Sequence, residues 1–175
     1  MIDPTMTHDY SAILKNKMEN KILQKIQPSS KHCFVCGVEN PFGLHLKFIE
    51  DNPGEVTCDF IIPENFQGYP GIVHGGVVSA ILDEVSGRSI MGEPDNPRFM
   101  FTAKMEVHFH KNVPVGQPLH AVGKVVKSRK RLATVTGSIY DMEGCLLAEC
   151  ESLLVDIPAD VIDGVDLDAL GWKVY

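Results

Sequence analysis

Apolar and polar residues alternate without a break along Phe101-Thr102-Ala103-Lys104-Met105-Glu106-Val107-His108-Phe109, which predicts a half-buried strand with one apolar and one polar face. Shorter alternations at Leu44-His45-Leu46-Lys47-Phe48 and Val56-Thr57-Cys58-Asp59-Phe60, parted by Asp51-Asn52-Pro53-Gly54, predict a hairpin. Three more strands are expected near 119–127, 132–140 and 145–155, separated by the polar breaks at 128–130 and 141–144. The period changes once. Val77, Val78, Ala80, Ile81, Leu82 and Val85 cover most of the circumference of a helix, as in a helix buried on nearly all sides. No helical pattern separates the last strands, so the sheet is expected to be antiparallel. The order predicts an α+β chain in which five to six strands curl around one long central helix.

The flanks read differently. Residues 1–27 place Leu14, Met18, Ile22 and Ile26 at four-residue steps among lysines, predicting an amphipathic helical extension and no signal-peptide core. The central domain is expected over 28–157. An acidic tail follows from 158 to 175, with Leu167, Leu170 and Trp172 as docking anchors. Sixteen basic residues against 23 acidic ones give a net charge of −7, which argues against a nucleic-acid partner. Five cysteines, an odd number, suit reduced thiols and a cytoplasmic location. No apolar run is long enough to cross a membrane. Cys33-Phe34-Val35-Cys36-Gly37 offers two thiolate ligands, but no second pair follows; the segment is read as a turn packing its thiols, and no metal is expected. His108, His110 and His120 are read as polar strand residues rather than ligands.

The chemistry is expected where Gly68-Tyr69-Pro70-Gly71-Ile72-Val73-His74-Gly75-Gly76 feeds the helix. A helix start presents backbone N–H groups without intrahelical acceptors and about half a positive charge, and paired glycines let a ligand approach closely. Gly75 and Gly76 therefore read as an oxyanion hole, with His74 orienting the loop. Two carboxylates interrupt the helix. Glu84 has Arg88 four residues on, as an exposed ion pair would; Asp83 has no basic neighbour at helical spacing and is costly to bury without a use. Asp83 lies seven residues beyond Gly76, roughly 10 Å along the axis, too far to act on a carbonyl held at its own helix start. A second helix packed antiparallel would supply it, which predicts a site shared across a two-fold dimer.

His74-Gly75-Gly76, then Leu82-Asp83 and Gly87, resembles the signature of hotdog-fold acyl-CoA thioesterases of the 4-hydroxybenzoyl-CoA and phenylacetyl-CoA type. The similarity extends over roughly 32–155, through the Thr102 to Phe109 strand, the Pro114 to Pro118 turn and Lys124 to Asp141. The resemblance implies a hotdog fold and hydrolysis of an acyl-CoA thioester. The amide at Gly75 or Gly76 would polarise the carbonyl and Asp83 would act as base or nucleophile, with Thr102 near the carboxylate. Relatives carry an asparagine or glutamine shortly before the histidine, a role for which Gln67 and, further off, Asn65 are the candidates. Coenzyme A enters only as part of the substrate, with no separate cofactor. Lys127, Arg129, Lys130 and Arg131, beside Lys124, would hold its phosphates or else form a solvated hairpin tip. A homodimer is expected, a dimer of dimers being left open, and Phe101 is expected to line the acyl seam.

Two rivals use the same fold: a non-catalytic acyl-CoA binding or sensing module, and a hydratase, which needs a histidine and an acid at another spacing. A lipase-type hydrolase needs a Gly-x-Ser-x-Gly elbow, which the sequence does not contain.

Overall fold

The computed structural model describes residues 25–93, 96–162 and 166–175. Nine strands, a 3-10 turn at Glu64–Phe66 and two helices follow one another: β1 Lys25–Ile26, β2 Ile49–Asn52, β3 Glu55–Ile61, β4 Gln67–Tyr69, β5 Ile72–Val73, α1 Gly75–Arg88, β6 Met100–Phe109, β7 Pro118–Ser128, β8 Leu132–Asp141, β9 Leu146–Asp156 and α2 Ala159–Ile162. Seven of the strands form one sheet in the order β1-β2-β3-β7-β8-β9-β6, antiparallel throughout, and β4 and β5 form a separate ribbon. α1 lies across β7, β8 and β9, with Val78, Ile81, Leu82 and Val85 buried against Val56, Leu119, Ala121, Ile139 and Ala148. This is the α+β hotdog arrangement, with the sheet wrapped on one long helix.

Two glycines set how closely helix and sheet approach. Gly123 and Gly137 are cross-strand partners under the middle of α1. A Cβ at Gly123 would overlap the Val85 carbonyl, and one at Gly137 would stand 2.9 Å from the Leu82 carbonyl oxygen. Only hydrogen there lets the helix backbone sit on the strands.

Several expectations shift. The first strand of the early hairpin is Ile49–Asn52 rather than 44–48; residues 44–48 form no strand, His45 taking a φ of 55°, and are held by bonds from Leu44 and Leu46 N–H to the Phe34 and Val35 carbonyls. The N-terminal amphipathic helix lies outside the described residues except at its end, where Lys25–Ile26 pairs with β2 as a strand. α1 is buried on one side only, its Gly76, Val77, Ala80, Asp83, Glu84 and Gly87 positions being half or fully exposed. β6 has β9 on one edge and no strand on the other among the described residues. Its alternation is also interrupted: the register slips between Thr102 and Lys104, a bulge at Ala103. Thr102 therefore shares the helix-facing side with Met105 and Val107, which pack on the core, and Phe101 faces outward, 47% exposed. Phe101 lies in register with Val155, itself paired with Leu132, in an apolar row on the outer sheet face. It does not line a seam with α1.

Candidate active site

α1 starts where the β4–β5 ribbon ends. Tyr69-Pro70-Gly71-Ile72 makes the turn: proline's fixed φ suits the first corner and Gly71, with φ of +79°, the second. Gln67 Oε1 accepts from the Gly71 N–H at 3.3 Å, so half of this expected site side chain braces the turn and its amide N–H groups remain for other partners. His74 is the N-cap. Its carbonyl accepts from Val77 and Val78, and its Nδ1 accepts from the Gly76 N–H at 3.0 Å, which puts the ring proton on Nε2. The two glycine amides are therefore not equivalent. That of Gly76 is committed to His74, whereas that of Gly75, an exposed residue, has no acceptor among the described residues. The positive end of the α1 dipole is concentrated on this one open donor.

Eight residues on, about 12 Å along the axis, stands Asp83. Thr102 Oγ1 donates to Asp83 Oδ1 at 2.7 Å, across from β6 to α1, aimed there by the Ala103 bulge. Asp83 is half-buried, and its second oxygen has no partner among the described residues. A cavity of about 130 Å³ opens beside it, lined by Asp83, Glu84, Gly87, Arg88, Met91, Arg98, Phe99, Met100 and Thr102.

Arg98 was not legible as a site residue; it stands in an irregular stretch with no periodic signal. Its guanidinium bonds Asp156 Oδ1 at 2.8 Å, Ser128 Oγ at 3.0 Å and the carbonyls of Arg129 and Lys130 at 3.0 and 3.1 Å. One side chain thus forms part of the cavity wall and pins the β7–β8 hairpin tip. Lys127, Arg129, Lys130 and Arg131 project from that tip, all exposed, and the cavity-lining Arg98 holds the carbonyls of two of them, Arg129 and Lys130. The histidines are dispersed: His108 meets Glu106, His110 meets Glu149, and His120 pairs with Asp59 between β3 and β7.

The neighbouring carboxylate has other company. Arg88 is 1% exposed, not on the surface, because the chain before β2 and the C-terminal tail close over it. It bonds Glu84 Oε1 at 2.8 Å, Gln27 Oε1 at 3.3 Å and the Pro28 carbonyl at 3.0 Å, with Phe48 and Trp172 rings on its guanidinium. Trp172, an expected docking anchor, also packs edge-on to Phe99; Leu170 is exposed. Cys33 and Cys36 lie beside Glu84. The hydrogen bond from Cys33 brings the Cys36 thiol down to about 7 against burial and the Glu84 charge, while Cys33 is pushed up. Cys58, deep in the core, is pushed up to about 12 by burial.

Comparison with known proteins agrees with this fold. The rat acyl-coenzyme A thioesterase THEM4 (Rattus norvegicus) is 23% identical over 145 residues, covering 82% of this chain and 61% of the relative. The chain thus spans less than two thirds of that protein's length. The crystal structure of a thioesterase superfamily protein superposes on 84% of this chain and 75% of its own, with a TM-score of 0.67 and 25% identity. A Streptococcus mutans protein solved bound to acetyl-CoA superposes on 64% of this chain and 88% of its own, with a TM-score of 0.58 and 16% identity. The family model described as the thioesterase superfamily matches residues 70–148, from the turn before α1 into β9. The His74-Gly75-Gly76 helix start lies inside that matched span, over which the chain is similar to the thioesterase superfamily.

Proposed function

We propose that the protein hydrolyses an acyl-CoA thioester to a free acid and CoA, at a site completed by a second copy of the chain. The observation that carries this reading is Asp83, a helix carboxylate with no basic partner among the described residues, held by Thr102 and bordering a cavity. The thioester carbonyl oxygen sits at the Gly75 amide, where the negative charge of the tetrahedral intermediate meets an uncommitted N–H and the helix dipole. Asp83 either takes a proton from water or attacks the carbonyl carbon to give a mixed anhydride that water then opens. Thr102, donating to one carboxylate oxygen, orients the other. The basic β7–β8 hairpin, pinned by the cavity-lining Arg98, supplies charge for the CoA phosphates. Gln67, through its free amide N–H groups, is the candidate third polar contact.

The dimer follows from two features of the single chain. Gly75 and Asp83 are about 12 Å apart along one helix, beyond the reach of a common reacting atom. In addition, the outer edge of β6, the exposed Phe109 and the half-exposed side of α1 are left without a partner element among the described residues. Two copies joined there with α1 antiparallel bring each Asp83 to the other's Gly75. The outer row around Phe101 and Leu132 offers a second contact for a dimer of dimers.

The S. mutans neighbour bound to acetyl-CoA and the rat acyl-CoA thioesterase relative support this class of substrate. The test is a panel of short, medium, long and aromatic acyl-CoAs, with released CoA measured by chromatography so that the five free protein thiols do not contribute. Turnover of at least one ester, abolished in Asp83→Ala, is expected. Tight binding without turnover by the wild-type chain would overturn the reading in favour of a binding module.

A further inference from the structure

The Cys33-Phe34-Val35-Cys36 turn had too few ligands in sequence to hold a metal. Folding adds a third. Glu84 of α1 comes to the turn from 51 residues away, with Glu84 Oε2 3.6 Å from Cys33 Sγ. The two sulfurs and a carboxylate oxygen all lie within 4.8 Å of one another. In a tetrahedral zinc site, Zn–S of about 2.3 Å and Zn–O of about 2.0–2.1 Å put sulfur and oxygen about 3.5 Å apart along an edge. The observed 3.6 Å, at which the Cys33 thiol donates to the carboxylate, also matches the spacing of two ligands around one ion.

Three further features fit. The N–H groups of Val35 and Cys36 converge on Cys33 Sγ at 3.3 and 3.4 Å, as outer donors orient a ligating sulfur. Glu84 divides its oxygens: Oε1 takes Arg88 Nε at 2.8 Å and Oε2 faces the cysteines, as a ligating carboxylate oriented by an outer donor does. Charge also closes. Two thiolates and a carboxylate carry three negative charges, and a divalent cation with the Arg88 guanidinium, 1% exposed, neutralises them. Arg88 Nη2, buried without an oxygen or nitrogen acceptor among the described residues, belongs to a guanidinium that interacts with Cys36 sulfur.

We propose that Cys33, Cys36 and Glu84 form a binding site for a thiophilic divalent cation of the zinc type, with water in the fourth position. Soft sulfur ligands select zinc over magnesium or calcium. The ion ties the extended segment before β2 to α1 one residue from Asp83, so that it fixes the helix on the side away from β6. The inference does not depend on thioesterase activity.

The test uses the full chain, purified without chelator. Its zinc is measured by mass spectrometry, and metal-stripped protein is titrated with Co²⁺. About one zinc per chain is expected, with a tetrahedral cobalt spectrum and sulfur-to-cobalt charge-transfer bands. Cys36→Ser is expected to abolish both. Glu84→Gln keeps both thiols and should weaken Co²⁺ binding roughly tenfold or more, so the site remains testable if the cysteine variant does not fold. Cys145→Ser, away from the cluster, should leave the stoichiometry unchanged. Zinc far below one per chain with no charge-transfer bands, the two cysteines being free thiols or a disulfide, would overturn the proposal. So would metal retained in full by both Cys36→Ser and Glu84→Gln.

Discussion

Asp83 and Glu84 are consecutive residues with opposite surroundings, and the difference separates the two faces of α1. Asp83 turns towards β6, takes one hydrogen bond from a neutral hydroxyl and keeps an oxygen open beside a cavity. Glu84 turns towards the segment before β2 and is engaged by a buried arginine and the Cys33 thiol, with Cys36 close by. One helix thus carries a carboxylate that fastens the fold and, next to it, one that is left open. A carboxylate with compensating charge stabilises structure; one without it persists at a cost, which is what a reacting group shows.

Substitutions should separate the two faces. The largest effect is expected for Asp83→Asn, which keeps shape and removes the charge: kcat should fall about 10²–10⁴-fold with the unfolding midpoint nearly unmoved. Next, Gly75→Pro deletes a single N–H. Proline is well tolerated at a first helical position, and His74, with φ of −59° and ψ of 133°, already has the conformation that precedes one. Its kcat should drop about 10²–10³-fold with native circular dichroism; a change within threefold would remove the amide from the mechanism.

On the fastening face, Arg88→Met should leave kcat per folded molecule within a few-fold but cost about 3 kcal/mol in denaturant unfolding, since it strands Glu84 and the Gln27 and Pro28 acceptors. Thr102→Val, isosteric without the hydroxyl, should lower kcat roughly tenfold and KM little, the worth of one hydrogen bond to a charged group. Smallest is the hairpin. Arg129→Glu with Lys130→Glu should raise KM for acyl-CoA several-fold at low salt and hardly at all at high salt, because exposed charges are screened. A KM unchanged at low salt would make the tip a solvated surface only.

Much of this division was legible in sequence, and the misses share a cause. Helix α1, its His74 start and the strands from β6 to β9 follow from local periodicity and turn residues, which act over a few positions. The pairing of Thr102 with Asp83 was expected only from resemblance. The bulge at Ala103 that makes it possible left no trace, and the strict alternation pointed Phe101 to the wrong face. Helix spacing read Arg88 as one half of an exposed pair because its partners Gln27, Pro28 and Trp172 come from both ends of the chain. Likewise, counting cysteines could not find Glu84, since ligand sets form in space. The difference between the Gly75 and Gly76 amides depends on one side-chain rotamer of His74.

The central claim, that one copy's open amide works with the other copy's Asp83, is tested most directly by mixing two inactive variants. Gly75→Pro and Asp83→Ala, unfolded together and refolded at equal concentrations, form mixed dimers in which one of the two shared sites is intact. Recovery of about a quarter of the wild-type turnover is expected, from half the dimers being mixed and half their sites complete. A refolded mixture no more active than either variant alone, with mixed dimers confirmed by mass spectrometry, would contradict the shared site.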